Sequence, residues 1–208
     1  MTQPTANCPN CGAKITFRWS SSVQTVCEYC KSILVRTDID LQKVGQVADL
    51  LPNSSPIQIG TEGIYNRQAF VVIGRIIYQY DQGNWNEWHL VMNNSSSWLS
   101  DAQNEYALTF AASGRKVPSQ CKVGQSYTWD GEEYNVTTIT KAHYSGVEGE
   151  LPLPYWDKEE VVFADLMSTD GKFATIDYSD DAPALYLGKS VAFEDLNFKN
   201  LRKFEGWS

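Results

Sequence analysis

Long apolar runs are missing from this sequence. The densest, Ala69 to Ile73, ends at Gly74-Arg75 and is far too short to cross a bilayer, so membrane insertion is not expected. Met1 to Asn7 has neither a basic stretch nor an apolar core, which argues against a secretory leader and for the cytoplasm. The sequons at Asn53, Asn94 and Asn135 then carry no meaning. Histidine is scarce as well. His89 and His143 are the only two, and neither belongs to a nucleophile, phosphate-loop or metal motif, so no catalytic residues are assigned. Positive charge is short too, with 17 Lys+Arg against 25 Asp+Glu. Residues 1–36 hold four basic residues and one acidic, a net of +3, which leaves the remainder at −11. Such a body repels phosphate backbones, so nucleic acid is not expected as a partner, and a basic protein suits it better.

What is present begins with cysteine. Cys8-Pro-Asn-Cys11 and Cys27-Glu-Tyr-Cys30 are two C-x-x-C units fifteen residues apart, the spacing of a four-cysteine zinc ribbon. Each unit forms a tight knuckle that aims two thiolates at one point, and Gly12 suits the turn after the first. Ile15, Phe17 and Trp19 alternate with Thr16 and Arg18 as a strand with one apolar face, and Val23–Val26 and Ile33–Val35 offer two more. Residues 1–36 therefore read as a ribbon holding one structural Zn²⁺, with no coordination position left for water or substrate. An iron–sulfur cluster is the alternative that spacing leaves open. Cys121 stands outside the pattern and reads as a small core residue. Should the ribbon bind nucleic acid after all, Lys14, Arg18, Trp19 and Lys31 would do it.

Residues 37–56 read as a short helix and linker. Asp38 or Asp40 could cap it, Leu41, Val44, Val47 and Leu51 follow roughly helical spacing, and Leu51 to Pro56 is turn-rich. The linker predicts a ribbon that folds apart from the body. Beyond it, short β-rich runs alternate with turns. Ala69–Tyr80 is a long strand with a bulge or bend at Gly74, and Asp130-Gly131 and Asp170-Gly171 are hairpin signals. The halves align with each other. Ile59-Gly60 falls on Val123-Gly124, Tyr65 on Trp129, Phe70 on Tyr134 and Val72 on Val136, at a constant offset of 64, and Glu105–Thr109 resembles Lys172–Ile176 at a slightly different offset. The expectation is a mostly β chain with two tandem small barrel-like units of SH3-like style, residues 57–115 and 116–208.

Three groups of side chains invite a functional reading. In Trp85-Asn-Glu-Trp88-His-Leu, alternation places Glu87 and His89 on one strand face. The pair suits acid–base work or an ordinary solvated face equally. Trp85 and Trp88 fall on opposite faces, so one of them is a candidate exposed anchor for a protein partner. Asp177-Tyr-Ser-Asp-Asp181 clusters carboxylates, but its spacing favours turn chemistry over a calcium loop.

Taken together, Cys8–Gly12, Val26–Cys30, Ile59-Gly-Thr-Glu-Gly63, Trp85-Asn-Glu-Trp88, Glu148-Gly-Glu-Leu-Pro152 and Ala174-Thr-Ile-Asp-Tyr-Ser179 give the chain a family likeness. It resembles the bacterial family catalogued as domain of unknown function 4178, in its zinc-ribbon-headed form. The resemblance implies no catalytic residues, and it implies gene neighbourhoods with membrane-stress and polyamine-synthesis proteins. The leading expectation is a non-enzymatic protein-interaction or adaptor module, in a membrane-stress or polyamine-related setting. The alternatives are an enzyme or small-ligand binder with its site between the β units, near Glu87, His89 and Asp177, and nucleic-acid binding through the ribbon.

Overall fold

A computed structural model of the chain describes residues 3–37, 40–47, 54–154 and 160–204. The ribbon pairs β1 (Thr5–Asn7) with β2 (Lys14–Thr16). It then adds a second antiparallel sheet of β3 (Gln24–Val26), β4 (Ser32–Arg36) and β5 (Leu41–Gln46). Ile15, Phe17 and Trp19 are buried while Thr16 and Arg18 are exposed, as alternation requires.

Strand β5 corrects the helix expected in 37–56. A three-residue spacing puts Leu41 and Val44 on opposite faces of a strand, and each face has a core to meet. Leu41 packs with Cys8, Phe17 and Leu34, and Val44 packs against the cluster that contains Ile33. The free edge of β4 and the weak helix propensity of Gly45 favour the extended form. Asp38, Leu51, Pro52 and the Asn53 sequon lie outside the described residues.

Among the described residues the body holds ten strands in two runs of five. The first run is β6 (Glu62–Tyr65), β7 (Gln68–Tyr80), β8 (Gly83–Met92), β9 (Ser95–Ala102) and β10 (Glu105–Ala111). The second is β11 (Ser126–Trp129), β12 (Glu132–Leu151), β13 (Val161–Met167), β14 (Lys172–Asp177) and β15 (Ala184–Val191). Tight hairpins at Asn66-Arg67, Asn93-Asn94, Gln103-Asn104 and Asp130-Gly131 have positive φ at both residues. That is the turn whose twist suits a two-residue hairpin, and Asn, Asp and Gly tolerate it best.

The two runs are repeats of one another. Gly60 N–H donates to Val72 O and Val72 N–H to Thr61 O, both at 2.8 Å. Sixty-four residues on, Gly124 N–H donates to Val136 O and Val136 N–H to Gln125 O, again at 2.8 Å. A bulge follows in each long strand, between Val72 and Gly74 in β7 and between Val136 and Thr138 in β12. Phe70 and Tyr134 are both buried at matching places in their own units. The likeness of Glu105–Thr109 to Lys172–Ile176 is accidental, because it pairs the fifth strand of one unit with the fourth of the other.

Neither unit closes on itself. Strand β10 pairs with β15, and β7 pairs with the far half of β12, so β7-β8-β9-β10-β15-β14-β13-β12 returns to β7 as one closed antiparallel barrel. The open edges that two separate sheets would leave are used up in these seams. Gly74 and Gly149 face each other across the β7–β12 seam. A Cβ on Gly74 would sit 2.0 Å from Glu150 O, and one on Gly149 2.1 Å from Ile73 O, so the approach requires glycine.

Each unit covers its own outer face. Phe70, Trp88, Leu90, Leu99 and Leu108 pack with Leu196 and Phe198 in the first, and Tyr134, Val136, Leu166 and Ile176 pack with Trp129 in the second. The inner faces are left to look at each other across a lumen. The ribbon attaches at one end of it. Strand β3 pairs with the end of β12, and Val26, Ile33 and Val44 pack with Ile76, Tyr78 and Trp98. Among the described residues no helix is long and apolar enough to cross a membrane.

Candidate functional site

The four ribbon cysteines converge. Sγ of Cys8 lies 3.7 Å from that of Cys30, Cys11 lies 3.8 Å from Cys27, and all four sulfurs fall within 4.8 Å of one another. A tetrahedral ion bonded to sulfur at about 2.3 Å would place its ligands about 3.8 Å apart, so the set fits a metal ion. Backbone bonds build the knuckles: Gly12 N–H donates to Cys8 O, and Lys31 N–H to Cys27 O. Gly12 has φ +77° and Lys31 φ +58°, so the second knuckle makes the same turn without the glycine. Cys121 packs against the outer core of the second unit, as expected of a small apolar residue.

The second site is the lumen, a cavity of about 710 Å³ to which all eight barrel strands contribute. Its wall is aromatic. Trp85 stacks on Tyr78 with centroids 5.0 Å apart, Phe163 meets both rings edge-on, and Tyr80 closes on Trp85 at 5.4 Å. Into the same space point Glu87 of β8, Asp165 of β13 and Asp177 of β14. The register explains the gathering: Tyr78 lies opposite Trp85, Ile76 opposite Glu87, Asp165 opposite Thr175 and Phe163 opposite Asp177, all on inner faces.

Burial governs the acids. The Glu87 carboxyl is partly accessible from the lumen, but the ring of strands removes most of its water and pushes its pKa up to about 8. The Trp85 indole N–H, 3.0 Å from Oε1, opposes the shift, and the charges of Asp165 and Asp177 add to it. Asp165 is raised to about 6 by desolvation, against a bond from Thr175.

Glu87 and His89 share a strand face as alternation requires, but the histidine is occupied elsewhere. Its Nδ1 sits 2.8 Å from Glu150 O and its Nε2 3.0 Å from Ser96 Oγ, so Nδ1 carries the proton and Nε2 accepts from the serine. Packed on Trp19 and Trp98, it is held down to about 4 by burial, the carbonyl bond opposing. It is a neutral strut between ribbon and barrel. His143 is exposed on β12. Trp88 is fully buried, its indole donating to Asp101, while Trp85 faces the lumen, so the pair offers no outward anchor. Trp19 is buried too, with its indole on Asn94 O, and Arg18 lies 3.9 Å from Glu28. The Asp177–Asp181 run is a turn, where Asp177 accepts from Ser179 N–H at 2.7 Å. Among the described residues only the four cysteines gather closely enough for one metal.

Sequence reasoning missed Tyr78, Tyr80, Phe163, Asp165 and Tyr186 as lining residues. Asp165 had a signal, a lone carboxylate inside the apolar run Val161–Met167. The aromatics had none, because alternating tyrosines read equally as core.

No curated protein and no solved structure matches the chain. A family model described as Domain of unknown function (DUF4178) matches residues 58–193. That span begins at the turn that opens the first repeat and runs through the last barrel strand, leaving the ribbon outside. The barrel with its lumen is thus the family's own part, and the chain belongs to the DUF4178 family.

Proposed function

We propose that the chain is a non-enzymatic binding module whose barrel lumen takes up a small molecule, with the ribbon as a Zn²⁺-stabilised plug at one end. The observation that carries this is the cavity of about 710 Å³ between the two repeats, within the size range of small-molecule sites and lined by aromatic rings together with many polar and acidic side chains. Binding is favoured over turnover because the sequence carries no recognisable nucleophile, phosphate-loop or open metal motif. Zinc is favoured over an iron–sulfur cluster because the four sulfurs lie within 4.8 Å of one another, the spacing of ligands around a single tetrahedral ion. A reducing cytoplasm keeps those thiolates available. The acidic body, net −11 beyond residue 36, supports a basic protein partner that reads the loaded state.

The test fills the lumen. Thr140 lines the cavity, and Thr140→Trp would occupy much of the space between the units. Wild type and variant are dialysed to equilibrium against a small-molecule extract of the producing cells, and the retained compounds are identified by mass spectrometry. We expect one compound near 1:1 on the wild type and its loss from a variant with an unchanged circular dichroism spectrum. Equal retention by both proteins, or none by the wild type, would contradict the proposal.

A further inference from the structure

We infer that the lumen selects a small organic cation, an amine or guanidinium compound, held between the aromatic wall of Trp85 and Phe163 and the carboxyl groups of Glu87 and Asp165. The inference rests on the lumen being the binding site and adds the chemistry of its occupant.

Four observations point the same way. Trp85 and Phe163 present ring surface, with Tyr78 buried behind them and stacked on Trp85 at 5.0 Å, and aromatic rings attract cations through their quadrupoles. The charge of the lining is lopsided. Among the described lining residues the one cation is Lys141, which is exposed and ion-paired with Glu160 at 3.1 Å, whereas Asp81, Glu87, Glu105, Asp165 and Asp177 are acidic. An anionic ligand would meet those carboxylates in a space that screens them poorly. The acids are also spread over strands of both units, and they form no group able to chelate one metal ion. A cation with a carbon skeleton can touch them across the gap where a bare ion cannot. Lastly, burial and its acidic neighbours oppose the charge of Glu87 in an empty lumen, and a bound cation beside it favours the ionised form.

The experiment compares three phenylalkyl probes of similar size: phenethylammonium, 2-phenylethanol and 3-phenylpropionate. Isothermal titration is run with the full chain, Glu87→Gln, Asp165→Asn and Thr140→Trp. The cation should bind 1:1, the alcohol about tenfold more weakly or worse, and the carboxylate without measurable heat. Glu87→Gln should weaken the cation by about tenfold while changing the alcohol by no more than about twofold, a split that simple loss of packing would not produce. Thr140→Trp should abolish both. If the alcohol or the carboxylate binds as tightly as the cation and Thr140→Trp removes it, the cation inference is overturned and lumen binding survives. No binding of the cation, or cation binding indifferent to both acid substitutions, also overturns the inference. Cation binding unchanged by Thr140→Trp overturns the lumen site itself.

Discussion

Glu87 holds a carboxyl where little water reaches it, and this makes stability depend on pH in a defined direction. Its pKa rises from 4.5 to about 8 on folding, so between those values the folded chain keeps a proton that the unfolded chain has lost. Stability then falls as pH rises through that window. Asp165, raised to about 6, has the same sign but finishes its titration lower. His89 has the opposite sign. Its folded value of about 4 lies below the ordinary 6.5, so its contribution is lost as pH falls from about 6.5 toward 4 and is nearly complete at neutrality. Glu87 therefore dominates these three between about pH 7 and 8. Urea midpoints should fall across that interval in the wild type, and Glu87→Gln should flatten the fall. A wild-type slope that survives the substitution would show that Glu87 is not the group responsible. Strand alternation made the shared face of Glu87 and His89 legible. Their different fates were not, because Glu150, whose carbonyl accepts from the histidine's proton-bearing nitrogen, arrives from 61 residues away.

The ribbon and the barrel are coupled elements. Glu150, buried at the end of β12, accepts hydrogen bonds from Arg18 N–H at 2.7 Å, Trp19 N–H at 3.2 Å and the Ser22 hydroxyl at 2.6 Å. Strand β3 pairs alongside it, and Trp19 packs on His89. A ribbon that unfolds would exchange these three bonds for water, and a hydrogen bond to a charged group contributes about 1.5–3 kcal/mol. Cys27→Ser should accordingly remove the metal, measured as zinc per chain, and lower the melting temperature of the barrel as well. A variant that loses zinc but melts like the wild type would restore the expectation of two independent parts. The cysteine cluster was legible because two C-x-x-C units encode their geometry locally. The docking was not, since the Arg18–Glu150 contact spans 132 residues. Strand β5 was misread for a related reason: an i, i+3 apolar spacing also suits a strand with a core on each side.

At the scale of the molecule, the repeat was visible as an offset of 64 residues, and the backbone bonds of Gly60 and Gly124 repeat at that offset. What the repeat builds was not visible. Closure depends on the β10–β15 and β7–β12 seams, which local patterns of alternation and turns do not specify. Seam and lumen arise together, because joining two curved sheets edge to edge leaves their inner faces apart. The claim that a ligand sits between the repeats is tested most directly by ¹⁹F NMR of the chain labelled with 5-fluorotryptophan. Among the described residues, Trp19, Trp85, Trp88, Trp98 and Trp129 report on different places. Trp85 lines the lumen, whereas Trp88 and Trp129 lie in the outer cores of the first and second units. On titration with phenethylammonium, the Trp85 resonance should shift and saturate while Trp88 and Trp129 stay in place. Movement of Trp129 or Trp88 with Trp85 unchanged would contradict a ligand site in the lumen.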